Sequence, residues 1–191
     1  DFISTSAHKL YGPKGVGALF IRKGATLKPL IYGGGQEHSL RASTENIAGI
    51  GGFGMAVELA LKNLGKNLAH VNRLETHFLN QMDQKTIDYK INGIERVPGV
   101  FNITFPNMDG QNLVMQLDMA GIGISFGAAC ASGTVKTSSM LLDTGLTEDE
   151  ALSTVRISFG KIHTHEDVQT VIDAIGHIVN QNTEKKMTYA G

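Results

Sequence analysis

Phe2-Ile3-Ser4-Thr5-Ser6-Ala7-His8-Lys9-Leu10-Tyr11-Gly12-Pro13-Lys14-Gly15-Val16-Gly17-Ala18-Leu19-Phe20-Ile21 is the stretch on which the reading of this chain turns. Phe2 to Ser6 alternates apolar and polar residues, the period of a strand. Tyr11-Gly12-Pro13-Lys14-Gly15 has turn chemistry, because proline presets its own φ and glycine admits positive φ. Gly17 to Ile21 is short and apolar, which predicts a second, fully buried strand. Between the first strand and the turn lies Ser6-Ala7-His8-Lys9. A lysine just past a strand end can bond covalently to an aldehyde if its amine is partly desolvated, and the adjacent hydroxyl and imidazole would suit a phosphate. Taken alone, the tetrapeptide is better explained as a solvated lysine at a strand end.

Outward from this hairpin, Gly33-Gly34-Gly35 opens a loop that runs to about Thr44. A long helix is predicted from about Asn46 to Met82. Ile50, Val57, Leu61, Leu64, Leu68, Val71, Leu74 and Phe78 recur at helical spacings along it. Gly49, Gly51, Gly52 and Gly54 crowd its early turns. Helical glycine is unfavourable, so they predict a second backbone packed close by. A helix of that length would bridge two domains. The remainder alternates strands and helices: strands over 89–94 and 100–105, a helix over 111–119 and a strand over 122–125. A loop of small and hydroxyl residues spans 126–139. Short helices follow over 139–143 and 147–153, the second opened by a Thr147/Glu150 capping box. A strand covers 155–159. An amphipathic helix covers 166–179, with Val168, Val171, Ile172, Ile175 and Ile178 on one face. The last dozen residues are polar and expected to fray. The class is α/β.

Composition narrows the function. At 191 residues the chain can bury a core without a metal or a disulfide. The net charge is −1 and the basic residues are scattered, which gives nucleic-acid binding no support. No apolar run approaches the roughly 18 residues of a membrane span. The single cysteine cannot pair internally and fits a reducing cytoplasm. No signal peptide is visible. The chain begins at Asp1 in what reads as mid-strand, so the upstream half of a larger protein is expected to be absent.

Lys9-Leu10-Tyr11-Gly12-Pro13-Lys14-Gly15-Val16-Gly17-Ala18-Leu19 resembles the lysine segment of the NifS/IscS-like cysteine desulfurases. That family consists of pyridoxal-phosphate (PLP) enzymes of fold type I, related to the class-V aminotransferases. Three further stretches resemble it in the right order. Gly33-Gly34-Gly35-Gln36-Glu37 through Arg41-Ala42-Ser43-Thr44-Glu45-Asn46 is similar to its glycine loop and Arg-x-Gly-Thr-x-Asn motif. Ser125-Phe126-Gly127-Ala128-Ala129-Cys130-Ala131-Ser132-Gly133 is similar to its cysteine loop, and Val155-Arg156-Ile157-Ser158-Phe159-Gly160 to its substrate-carboxylate strand. The chain departs from the family at Ser43, where the motif has glycine, at Ala42, and at Ala128, where serine is usual. The Ser43 and Ala42 changes leave the backbone path of that loop open.

The resemblance implies a fold made of the tail of the large PLP-binding domain, with the start of a linking helix, over residues 1–65. The smaller C-terminal α/β domain would cover residues 66–191. It implies Lys9 as the residue that holds PLP, Ser6 and His8 on the PLP phosphate, and Thr44 on the phosphate of a partner subunit's cofactor in a homodimer. Arg156 would bind the carboxylate of L-cysteine, and Cys130 would take the sulfur as a persulfide. An iron–sulfur scaffold or a tRNA-thiolation enzyme would then accept it, and the isolated chain would be inactive. A selenocysteine or cysteine-sulfinate lyase of the same family, and a non-catalytic fragment that docks acceptors, are the alternatives.

Two of these residues have plainer readings. A lone cysteine is more often a small buried hydrophobe. Cys130, however, sits among Gly, Ala, Ser and Thr, which bury little surface, so an exposed and mobile loop is expected. Arg156 alternates with Val155 and Ile157 and so projects from the opposite face, where it would be an exposed arginine or a bidentate carboxylate clamp. His163 and His165 lack a third ligand nearby in sequence, and Thr164, Glu166 and Asp167 read as a helix start, so no metal is expected. His38, His70, His77 and His177 are expected at the surface.

Overall fold

A computed structural model describes residues 1–127 and 139–189, with side chains described as far as residue 182. Cys130 and its loop lie outside the described residues. The chain divides into two compact units, Asp1–Leu64 and Gly65–Gly191.

In the first unit, β1 (Phe2–Ser6) and β2 (Gly17–Ile21) form an antiparallel pair in register from Phe2↔Ile21 to Ser6↔Gly17. Both strands fall where they are expected, β1 by its alternation and β2 as a short apolar run, but β2 is not buried: Leu19 is 48% and Phe20 58% exposed. The sheet has two strands only, so each backbone is paired along one edge and the side chains of both faces stay largely open. A 3-10 turn, Ala7–Leu10, leaves β1, and Tyr11 closes it in the left-handed region at φ 62°. Gly12 follows at a site with no room for a side chain. A Cβ there would lie 2.9 Å from the Ala7 carbonyl oxygen and 3.0 Å from the Cβ of Ala56.

Ala56 belongs to α1 (Ile47–Lys62), which Asn46 caps by accepting the Gly49 N–H at 3.0 Å. Of the helical glycines, Gly52 has the expected close neighbour: a Cβ there would meet the Pro13 ring at 3.0 Å. Gly51 and Gly54 face open space, so they do not mark a close approach. The single helix expected over 46–82 is two. Asn63 breaks it, its Nδ2 and its backbone N–H both turned onto the Leu59 carbonyl, and α2 (Leu64–Gln84) begins one residue later. Ile50, Val57, Leu61, Leu64 and Leu68, the apolar residues whose helical spacing predicted the helix, are between 36% and 68% exposed.

Ser43 resolves the open question of its loop. It sits at φ 98°, a conformation that favours glycine, so the backbone keeps the glycine-type path with a serine on it. Ser43→Gly should relieve that strain and raise stability by about 1 kcal/mol, read as a higher thermal midpoint. A lowered midpoint would show that the serine is not strained there.

The second unit holds a four-stranded antiparallel sheet in the order β3-β4-β6-β5. Its strands are β3 (Lys90–Ile91), β4 (Val100–Thr104), β5 (Ser125–Phe126) and β6 (Thr154–Ser158). Phe101 and Ile103 of β4 and Val155 and Ile157 of β6 present one apolar face. The core is completed by Leu74, Phe78 and Met82 of α2 and by Leu113 and Leu117 of α3 (Gly110–Met119). Short helices α4 (Ser139–Asp143) and α5 (Glu148–Leu152) precede β6, and α5 carries the full Thr147/Glu150 capping box. The last helix, α6 (His165–Tyr189), buries Val168, Ile172, Ile175 and Ile178, the face its periodicity predicts. Where fraying was expected, the helix continues to Tyr189. Among the described residues, no single helix is long and apolar enough to cross a membrane.

The turn into β4 is held from α2. Glu75 pairs with Arg96, accepts the Gly99 N–H at 2.8 Å, and Arg96 in turn lies 4.7 Å over the Phe101 ring. Burial pushes the Glu75 carboxyl up, but the Arg96 and Gly99 hydrogen bonds outweigh it and hold the group below its ordinary value.

Candidate functional site

The residues singled out in the sequence fall into two groups, one in each unit. In the first, Ala7 is the anchor. It is fully buried, donates its N–H to Val16 at 3.1 Å and accepts the Gly12 N–H at 2.9 Å. That fixes the backbone between β1 and the turn, so Ser6, His8 and Lys9 are all displayed within two residues of a rigid point. His8 and Lys9 are exposed and Ser6 is half-buried. Ser6 stands at the N-cap of the 3-10 turn yet makes no side-chain capping bond, which leaves its hydroxyl to a ligand. Thr44 lies on a different segment, the loop between Ser43 and the Asn46 cap, and is exposed.

This donor set fits PLP. An accessible amine meets an aldehyde, and a hydroxyl with an imidazole N–H meets a phosphate, all from one turn.

In the second unit, Arg156 is the middle residue of β6, an inner strand. Val155 and Ile157 point into the core, at 0% and 2% exposure, so the Arg156 side chain rises from the polar face between its register partners Asn102 and Ser125. It is half-buried, and its Nη2 donates to the Ser125 hydroxyl at 3.2 Å. It forms no ion pair among the described residues. A half-buried guanidinium with one neutral acceptor and no carboxylate retains most of its N–H fork for an anion.

The histidines have structural duties. His163 Nδ1 accepts the Gly160 N–H at 2.8 Å, which places the ring proton on Nε2, and its carbonyl meets His70 Nε2 at 2.9 Å. His77 and His165 meet edge to face at 5.0 Å. His70 and His77 are therefore half-buried rather than exposed, because α2 lays both against the segment that enters α6. Thr164 and Asp167 cap α6 reciprocally, and these bonds hold the Asp167 carboxyl below its usual value. No group of three or more His, Cys, Asp or Glu among the described residues is placed to hold a metal.

Sequence reasoning gave Ser125 no role. The signal was there in part, since serine opens the strand before the cysteine loop, but its partner depends on β5 lying beside β6, which no local pattern reveals.

The chain thus sets a half-buried arginine on one sheet and an exposed lysine beside a hydroxyl and an imidazole in its hairpin. It belongs to the aminotransferase class-V family, whose pattern matches residues 1–171. Among its relatives is the cysteine desulfurase IscS of Clostridium botulinum (strain Hall), 41% identical over 188 residues, an alignment covering 96% of this chain and 47% of that protein. The IscS of Dictyoglomus turgidum is 38% identical over 183 residues, covering 95% and 46%. The fold matches the crystal structure of a NifS-like protein from Rickettsia africae with a TM-score of 0.83 at 32% identity, over 94% of this chain and 48% of that one. The chain thus spans about half the length of the curated relatives it matches.

Proposed function

We propose that this chain forms part of a PLP-dependent cysteine desulfurase, with residues 1–65 contributed to the large cofactor domain and 66–191 forming the smaller one. The observation that carries the reading is the half-buried Arg156 with no acidic partner among the described residues, on the strand whose sequence matches the family's carboxylate site. Lys9 would hold the cofactor, and Ser6 and His8 would donate to its phosphate. Thr44 would reach the phosphate bound by the second copy in a homodimer. PLP, when bound, supplies a sink for the electron pair left at a substrate Cα. The Arg156 fork orients the cysteine carboxylate. The Lys9 amine takes the Cα proton. The Cys130 thiolate attacks the substrate sulfur: the new S–S bond forms as the carbon–sulfur bond breaks, and the carbon skeleton leaves as alanine after protonation. The persulfide then passes to an acceptor protein, an iron–sulfur scaffold or a tRNA-thiolation enzyme, in a reducing cytoplasm.

Arg156→Ala should weaken cysteine binding by about 2–3 kcal/mol, read as a raised KM with the cofactor still bound. An unchanged KM would make Arg156 structural. Comparing rates on cysteine, selenocysteine and cysteine sulfinate separates the desulfurase from its sister lyases.

We further propose that these 191 residues do not turn over cysteine by themselves. Family members supply an aspartate for the pyridine nitrogen and a histidine that stacks on the ring from sequence preceding the lysine segment. Titrating the isolated chain with PLP should give no saturable visible band and no alanine. A one-to-one band with turnover would contradict this, and a chain that binds sulfur acceptors without PLP would favour a docking role.

A further inference from the structure

The polar face of the second sheet carries one row of side chains across β4, β6 and β5, flanked by Asn92 just past the end of β3. Asn92, next after β3, donates its backbone N–H to Asn102 of β4 at 2.9 Å. Asn102 is paired with Arg156 of β6, and Arg156 with Ser125 of β5. The two neighbours of Arg156 are not equivalent. The Asn102 side-chain oxygen accepts from Asn92 Nδ2 at 2.8 Å, which turns that amide toward β3, and among the described residues no side-chain hydrogen bond joins Asn102 to Arg156. On the other flank the Ser125 hydroxyl accepts from Arg156 Nη2 at 3.2 Å. An arginine side chain has many rotamers, and one that meets its ligand already oriented loses less freedom on binding.

We propose that Ser125 is a positioning residue for substrate binding: by accepting one Nη2 proton it draws the guanidinium toward β5 and leaves the remaining N–H edge directed at the incoming carboxylate. This rests on the reading of Arg156 as the carboxylate partner. Ser125 touches neither the substrate nor the reacting atoms. Its effect is on affinity for the carboxylate, not on the chemical steps.

The test uses the PLP-loaded enzyme that carries this sequence and a pair of variants of equal size, Ser125→Val and Ser125→Thr, which differ by the hydroxyl. Ser125→Val should raise the KM for L-cysteine about three- to tenfold, and raise the calorimetric Kd for L-alanine, which presents the same carboxylate, by the same factor. Its kcat should stay within about twofold, because a positioning contact of this kind acts on binding. Ser125→Thr should restore both constants. Val raising neither constant while Arg156→Lys raises both would overturn the role of Ser125 and leave that of Arg156 standing. A fall in kcat or thermal midpoint at constant Kd, or a Thr variant that behaves like Val, would overturn it too. If Arg156→Lys and Arg156→Ala also change neither constant, the carboxylate reading of Arg156 fails, and the inference with it.

Discussion

Replacing Cys130 with alanine in the PLP-loaded enzyme is expected to abolish sulfur release while cysteine still binds. Cys130 is the only cysteine of the chain, so no second thiol here can take over its role. For alanine to be the product, the carbon–sulfur electron pair must stay with carbon, so the sulfur has to be taken by a nucleophile, and of a cysteine's two forms the thiolate is the nucleophilic one. Loss of a nucleophile that acts together with a base and a binding group is severe, so sulfide release should fall at least about a thousandfold. Alanine release should fall with it, because the carbon–sulfur bond does not break until the sulfur has an acceptor. Cysteine binding, followed by the change in the cofactor's absorption, should be unaltered, because Arg156, the proposed carboxylate partner, is untouched. Undiminished sulfide release would remove Cys130 from the mechanism.

Lys9→Ala is expected to have the second largest effect. The turn that carries Lys9 is pinned through Ala7, so the amine has a fixed origin that a neighbouring lysine does not share. Lys14 is the natural comparison: it lies in the same hairpin and is also exposed. Lys9→Ala should lose both the covalent hold on PLP and the base for the Cα proton. A positioned base is worth about a hundred- to ten-thousandfold by itself, so turnover should fall by about three orders of magnitude or more. Lys14→Ala should remain active. Borohydride reduction of the PLP-loaded protein followed by peptide mapping should place the label on Lys9. Label on Lys14 with none on Lys9 would reverse the assignment.

Local patterns carried much of the fold. The period-two alternation of Phe2–Ser6, the 155–159 strand, the Thr147/Glu150 box and the stripe from Val168 to Ile178 depend on neighbours in sequence, and all four recur in the structure. The failures share one cause. Leu19 and Phe20 read as a buried strand because apolar residues usually are buried, but burial depends on what packs on a strand's faces, and both faces of this two-stranded sheet stay largely exposed. The apolar spacing through Leu61 and Leu64 continued across Asn63, so periodicity alone gave one helix where the asparagine side chain and backbone both turn onto Leu59. Gly52 and Gly51 look alike in sequence and differ only in whether Pro13 lies opposite. In the site, the strand period correctly placed Arg156 opposite Val155 and Ile157, but Ser125 and Asn102 become its neighbours only through strand order.

In the function proposed, this chain supplies the lysine, the arginine and the sulfur-accepting cysteine of a desulfurase. Mass spectrometry tests it most directly. The PLP-loaded enzyme is mixed with L-cysteine in the absence of reductant, quenched by thiol alkylation and digested. The peptide bearing Cys130 is then weighed, and released alanine is measured in the same sample. One added sulfur atom on Cys130, and one alanine for each persulfide formed, are the expected result. Alanine released in full while Cys130 carries no added sulfur would contradict it.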